Sequence, residues 1–106
     1  MNGPLSGKQR KYLRGIAHGL SPVVLIGAKG LTAEQVRALD DALLTHELIK
    51  VKFLEHKDEK KELAAAMASA TGAEVAGIIG NIAILYRSHP DSVRRRIVIG
   101  TNEGGE

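Results

Sequence analysis

Apolar residues recur along this chain with two different spacings, which together predict a fold. Spacings of three and four residues, typical of amphipathic helices, occur in three segments, and short apolar runs or strict alternation, typical of strands, occur in four. The predicted helices span Gly7 to about His18, Ala33–His46 and about Glu59 to Thr71, and the predicted strands span Val23–Ile26, Leu48–Leu54, Glu74–Ile79 and Ile82–Arg87. The order is therefore α-β-α-β-α-β-β.

Capping residues support the predicted helix ends. A capping box, in which Ser or Thr is followed three residues later by Gln, opens the first two helices (Ser6 with Gln9, Thr32 with Gln35). Asp58 is placed as the N-cap of the third helix, and Gly72 can end it in the left-handed conformation. The predicted buried faces are Tyr12, Leu13, Ile16 and Ala17 in the first helix, Val36, Leu39, Ala42 and Leu43 in the second, and Leu63, Met67 and Ala70 in the third.

The connections determine how the strands run. Strand–helix–strand units form right-handed crossovers, so the first three strands are predicted to be parallel. The two-residue Gly80-Asn81 link between apolar runs predicts an antiparallel hairpin. The expected fold class is therefore α/β, with a small mixed four-stranded sheet and packed helices.

The second strand has two unlike faces. Ile49, Val51 and Phe53 alternate with Lys50 and Lys52, so one face is apolar and the other basic. A half-exposed strand with solvated lysines is the favoured interpretation. The alternative is that Lys50 and Lys52 extend a positive surface.

The length of 106 residues indicates one domain. We expect a flexible lead-in at residues 1–4, the domain at residues 5–88 and a basic tail at residues 89–106. In the tail Arg94–Arg96 precede Ile97–Ile99, which permits either a short extra strand or an irregular basic segment. The chain has no cysteine, no apolar run near the roughly 20 residues of a membrane span and no visible signal peptide, so a cytoplasmic protein is expected.

Positive charge is concentrated at the start of the chain. Residues 1–30 hold five basic and no acidic side chains, whereas residues 31–106 hold ten basic and twelve acidic ones. Four of the five fill the predicted solvent-facing arc of the first helix: Lys8, Arg10, Lys11 and Arg14. An ordinary solvated face usually mixes signs, so this acid-free stripe favours a polyanionic partner.

The fifth cation lies in a glycine loop, Gly27-Ala28-Lys29-Gly30, between the first strand and the second helix. The glycines allow a sharp turn and a close approach to another molecule, and the amides at the helix start attract anions. The loop could equally be a plain connector that needs glycine for its geometry. Only its surroundings favour phosphate binding.

Motifs for other chemistry are missing. His18, His46, His56 and His89 lack metal-ligand spacing and are interpreted as surface or helix-end histidines. The sequence has no Walker loop, dinucleotide fingerprint or nucleophile elbow. We therefore expect no catalysis, no cofactor and no small-molecule substrate.

Four segments in order resemble the YhbY-like family, the stand-alone bacterial form of the CRM domain (chloroplast RNA splicing and ribosome maturation). They are Leu5–Arg14, Pro22–Thr32, Glu47–Lys52 and Ile79–Arg87. The resemblance covers about residues 5–88. It implies a fold similar to the C-terminal domain of translation initiation factor three. It also implies that the protein binds RNA and associates with the precursor of the large ribosomal subunit.

The resemblance also implies site residues. It points to a loop that contacts RNA backbone as in KH domains, which here is Gly27, Ala28, Lys29 and Gly30. The basic residues of the first helix (Lys8, Arg10, Lys11 and Arg14) extend that surface. Many relatives carry a polar or basic residue at both middle loop positions, whereas Ala28 leaves Lys29 as the only loop charge.

The function expected from the sequence is therefore non-catalytic binding of large-subunit ribosomal RNA or a pre-ribosomal particle, by a monomer with no membrane contact. Scarce aromatic residues, 3% of the chain, favour backbone contacts over base stacking. Two alternatives stay open: a module that docks its basic helix on an acidic protein, and a small-anion or nucleotide-binding enzyme.

Overall fold

The computed structural model describes residues 4–99 and contains the predicted elements in the predicted order. They are α1 (Gly7–Ala17), β1 (Val24–Ile26), α2 (Ala33–His46), β2 (Leu48–Phe53), α3 (Lys60–Thr71), β3 (Glu74–Ile79) and β4 (Ile82–Tyr86). Each boundary lies within one residue of its prediction, and the α/β fold class is confirmed. Expectations about residues 1–3 and 100–106 lie outside the described residues.

The strands form one mixed sheet in the order β1-β2-β4-β3. β1 and β2 are parallel, and β4 lies antiparallel between β2 and β3. The first three strands therefore run in the same direction, as predicted. The hairpin turns at Gly80, whose φ of +59° favours glycine.

Two helices cover one face of this sheet. α2 and α3 pack on it around an aliphatic core with a single aromatic ring, formed chiefly by Leu39, Leu43, Phe53, Met67 and Leu85. Each of these side chains is fully buried. This layer provides the larger hydrophobic core.

The first turn and the buried face of α3 differ from their predictions. Lys57–Glu59 form a 3-10 turn before the helix, so Glu59 takes the N-cap position and Asp58 does not cap. Ala70 is exposed, because the buried line runs through Ala64, Met67 and Thr71 and Ala70 lies beyond its margin.

A single helix, α1, covers part of the other face. Leu13 and Ala17 pack on Leu48, Ile84 and Tyr86. Ser6 and Gln9 form the complete predicted capping box.

The buried face of α1 is narrower than predicted. It follows Gln9, Leu13 and Ala17, which stand four residues apart, whereas Tyr12 and Ile16 lie on one flank and are 50% and 36% exposed. Their predicted burial is therefore wrong, because a helix lying on a sheet buries only a narrow line of side chains.

The segment after β4 is held by a buried carboxylate. Glu47 lies between α2 and β2 with φ +64°, and its side chain is only 1% exposed. Its two oxygens accept hydrogen bonds from the amides of His89 (2.8 Å), Arg96 (2.7 Å) and Ile97 (3.0 Å). This contact places Ile97 and Ile99 against the α1 core.

Residues 89–99 contain a 3-10 turn at Ser92–Arg94 and no strand, so the extra strand is absent from the described part of the tail. The segment is an irregular strap on the end of the sheet where β2 begins.

Burial alone would raise the pKa of Glu47, but the three amides and the nearby His89 outweigh it and leave the pKa below its usual value of 4.5. The carboxylate is therefore ionised at neutral pH. Its charge is satisfied chiefly by hydrogen bonds from main-chain donors.

Replacing Glu47 by Gln should lower the free energy of unfolding at pH 7 by about 1–3 kcal/mol, because the amide nitrogen cannot accept from a backbone N–H. The folded-state pKa is lowered, so the wild-type advantage is present above the unfolded carboxyl pKa and disappears as pH falls through the folded value. Urea unfolding at pH 7 and at pH 3 measures both effects. The exposed Asp41→Asn is the matched control, and equal stability of E47Q and D41N would contradict this role.

Candidate nucleic-acid interface

The glycine loop is a tight turn between β1 and α2. The amide of Gly30 donates to the carbonyl of Gly27 (3.0 Å), and Gly30 has a φ of +69°. Gly27 has no such strain, and a Cβ there would meet nothing within 4 Å. The turn therefore needs glycine at Gly30 for its conformation, whereas Gly27 leaves open space on its outer side.

The start of α2 is tied to the end of β1. The Thr32 hydroxyl accepts from the amide of Gln35 (3.1 Å), which confirms the predicted N-cap. The Gln35 side chain does not complete the capping box but donates to the carbonyl of Leu25 (2.8 Å). The loop is thus closed by a side chain from its own helix, and the first turn of α2 faces it.

A histidine that the sequence did not connect with the loop contacts it directly. The Nε2 atom of His56 lies 2.7 Å from the carbonyl oxygen of Ala28, and its Nδ1 lies 3.0 Å from a carboxylate oxygen of Glu59. The ring also lies beside Gly30, 3.7 Å from where a Cβ would be. Both partners are acceptors, so both ring nitrogens donate when His56 is protonated.

This arrangement favours the charged imidazolium. The hydrogen bond to Ala28, and then the one to Glu59, raise the pKa of His56 above its usual 6.5, with Glu55 adding a smaller effect. His56 itself has a φ of +59° and lies 28 residues from Ala28 in sequence. Neither the left-handed conformation nor a contact over this distance is visible in local periodicity, which explains why sequence analysis did not connect His56 with the loop.

The basic residues of α1 occupy two kinds of position. Lys8 and Lys11 are exposed, and Lys11 has no hydrogen-bond or ion-pair partner within residues 4–99. Arg10 folds back to donate to the carbonyl of Leu5 (2.7 Å). The predicted stripe is therefore only partly a free solvent-facing surface.

Arg14 departs furthest from the prediction, because its side chain lies on the sheet instead of facing water. Its Nη1 donates to the carbonyl of Ala76 (3.0 Å), and its aliphatic part fills the space above Gly77. A Cβ at Gly77 would lie 2.6 Å from Cδ of Arg14. The missing side chain at Gly77 is what admits the arginine.

The loop and Arg14 lie at opposite edges of the sheet. Arg14 contacts β3 and the loop follows β1, and these edge strands are separated by three strand spacings, about 14 Å. The structure therefore does not bring the loop and this end of α1 into contact. Lys29 is exposed and has no partner within the described residues.

Two lysines of β2 lie between these groups, on the face that α1 partly covers. Lys50 donates from Nζ to the carbonyl of Leu20 (3.0 Å), just beyond α1, and Lys52 is exposed. Lys52 is paired with Leu25, two residues before the glycine loop.

Other kinds of site find little support in the part of the chain that the structure describes. No three His, Cys, Asp or Glu side chains there are grouped to hold a metal ion. No helix of residues 4–99 has the length and apolar character needed to cross a membrane.

Comparison with known proteins gives one family. Residues 5–87 match the model of the CRS1/YhbY (CRM) domain. A Haemophilus influenzae protein named "RNA-binding protein" is 44% identical over 84 residues, which are 78% of this chain and 85% of that protein. A Bacillus subtilis protein named "Probable RNA-binding protein YqeI" is 32% identical over 89 residues, or 83% of this chain and 93% of that one.

A solved structure has the same fold. The solution structure of the hypothetical protein SAV1595 from Staphylococcus aureus superposes with a TM-score of 0.78 at 37% sequence identity. The match covers 91% of this chain and 99% of that one. The agreement confirms the fold across nearly the whole chain.

The two loop glycines offer a matched pair of substitutions. Gly30→Ala should destabilise the protein by about 1–2 kcal/mol, because a Cβ is strained in the left-handed region. Gly27→Ala should change stability far less, since its conformation and surroundings accept a methyl group. Chemical denaturation of both variants measures this difference, and equal losses would contradict the assigned loop geometry.

Replacing His56 by Gln should remove a pH-dependent part of the stability. The folded-state pKa is raised, so the stabilisation is full below the unfolded value near 6.5 and is lost as pH rises through the folded value. The wild-type melting temperature should therefore exceed that of H56Q more at pH 6 than at pH 9. The exposed His18→Gln serves as control, and a difference that does not vary with pH would refute the doubly hydrogen-bonded imidazolium.

Proposed function

The chain belongs to the CRS1/YhbY (CRM) domain family, and from this membership we propose that it binds RNA without catalysing a reaction. The target we propose is large-subunit ribosomal RNA in a pre-ribosomal particle, with a role in ribosome assembly. We further propose that it acts in the cytoplasm and as a monomer. The names of the two relatives support RNA as the partner, and the more specific target follows the family resemblance.

The observation that carries the proposal is the glycine loop. It presents Lys29 without a partner among residues 4–99, beside the first turn of α2, in a turn that is closed by Gln35 and contacted by His56. A helix start and a nearby cation attract phosphate, and the open side of Gly27 permits a close approach of the RNA backbone.

The basic residues of α1 enter the proposal unequally. Lys8 and Lys11 lie on the exposed surface and are the α1 residues we propose to contact phosphates. Arg10 and Arg14 are bound to main-chain carbonyls, so we assign them to positioning the helix as much as to the RNA.

A second candidate function is supported by the flank of α1. Tyr12 and Ile16 are exposed beside the lysines, and an apolar pair bordered by cations also fits an acidic protein partner. Nuclease treatment of a pull-down separates the two candidates. Ribosomal proteins lost with the RNA favour the first, and proteins retained after treatment favour the second.

Replacing Lys29 and Lys11 by Ala should weaken binding to a labelled ribosomal RNA fragment and reduce its salt dependence. Each lost phosphate contact makes the negative slope of log K against log salt shallower by about 0.7 for a single strand. Fluorescence anisotropy between 50 and 300 mM KCl measures both quantities. Lys61→Ala on α3, in the layer on the other side of the sheet, is the control.

Unchanged affinity and slope in the double variant, with its fold intact by circular dichroism, would refute the assignment of these two lysines. Absence of measurable RNA binding by the wild-type protein would refute the proposed function itself.

A further inference from the structure

Part of the α1 side of the sheet is left uncovered. Strand register aligns one residue from each strand in a row on this side: Leu25, Lys52, Ile82 and Ile79. Leu25 is 50% and Ile79 59% exposed, although both belong to regular strands. We call these four residues the open row.

The row is bordered by cations instead of by a helix. In the next row Lys50 is paired with Ile84 and Ile84 with Gly77, above which Arg14 lies. Lys50 and Arg14 therefore mark the margin of α1, with their side chains bonded to the carbonyls of Leu20 and Ala76. Neither row contains an acidic residue.

The open row begins beside the glycine loop. Leu25 precedes Gly27 by two residues, and its carbonyl accepts the hydrogen bond from Gln35 that closes the turn. Lys29 lies four positions after Leu25 in the sequence, at most about 14 Å of chain. One extended nucleic-acid strand could therefore contact the loop and the row together.

The chemistry of the row favours one class of partner. Aliphatic side chains flank Lys52 within the row, and Lys50 and Arg14 lie along its border. The surface therefore offers apolar area and positive charge with no negative charge. Splayed bases can make apolar contacts with the aliphatic side chains of Leu25, Ile79 and Ile82, without aromatic stacking, while lysines bind phosphates. A duplex keeps its bases stacked inside, so only a single strand can use the apolar part.

We propose that the open row is a platform for the bases of single-stranded RNA, continuous with the glycine loop. The inference rests on the proposed RNA-binding function and adds which form of RNA the protein prefers. It also gives Lys52 the role of a phosphate ligand.

Ser substitution at Leu25 and Ile79 tests the platform, because both side chains are half exposed and their loss leaves the main core intact. Leu44→Ser on α2, 46% exposed and far from this face, is the matched control. Binding is measured with a labelled 15-nucleotide mixed-sequence RNA, as a single strand and as a duplex. The double variant L25S/I79S should bind the single strand about 10-fold more weakly, with an unchanged salt slope and unchanged duplex affinity.

Lys52→Ala provides the complementary measurement. It should make the negative slope of log K against log salt shallower by about 0.7 on the single strand, because one phosphate contact is lost. If the double Ser variant is unstable, Ile79→Thr alone repeats the comparison, since a β-branched residue suits a strand.

The possible outcomes separate this inference from the proposed function. Normal single-strand binding by L25S/I79S overturns the platform, and RNA binding by the wild type then still supports the function. Equal losses on single strand and duplex overturn the preference for single strands. A wild-type dimer in sedimentation velocity that dissociates on L25S/I79S substitution would show that a second copy of the chain occupies the row, which also overturns the platform.

Discussion

One helix cannot cover one face of a four-stranded sheet, and this constraint shapes the rest of the molecule. An α-helix is about 10 Å across, whereas six-residue strands such as β2 and β3 are about 20 Å long. Two helices solve the problem on one face, where they enclose the larger core. On the other face α1 lies alone and divides the surface into a part beneath it and a part at each side.

α1 leaves two ends of that face free, and these two ends differ. At the end where β2 begins, Glu47 holds the segment after β4 in place, so that Ile97 and Ile99 pack beside α1. The three main-chain hydrogen bonds to one carboxylate replace the secondary structure that this segment lacks. At the end where β2 finishes, no described segment covers the sheet, and Leu25 and Ile79 stay half exposed. The uncovered end is also the one that carries the glycine loop.

Sequence patterns were sufficient for the elements because their causes are local. The period of apolar residues, the Ser6 and Thr32 caps and the Gly80-Asn81 turn each depend on neighbours within a few residues. The family resemblance then added the likeness to a known fold and the expectation that the glycine loop contacts RNA. Local patterns could not show that Leu13 and Ala17 are buried while Tyr12 and Ile16 stay exposed, since this depends on the shape of the sheet beneath α1.

The missed parts of the site all depend on contacts distant in sequence. Arg14 lies on β3 only because Gly77, 63 positions later, has no side chain. His56 contacts the loop across 28 residues, from a left-handed conformation that its residue type does not indicate. The exposure of the open row follows from the strand order, which places β4 between β2 and β3. Each of these required the sheet to be assembled before it could be seen.

The charge distribution along the sequence differs from the charge distribution on the folded surface. Counted along the sequence, the positive excess lies in residues 1–30, which suggests one stripe formed by the first helix and the loop. In the folded protein Arg14 and Lys29 lie near opposite edges of the sheet, and the cations between them, Lys50 and Lys52, come from a segment with a net negative count. That segment places its lysines on the face shared with α1, whereas many of its acidic residues lie on α2, on α3 and in the turns next to them. A surface for a polyanion therefore depends on which face of the sheet each charge occupies, and the net charge of a stretch of sequence is a poor guide to it.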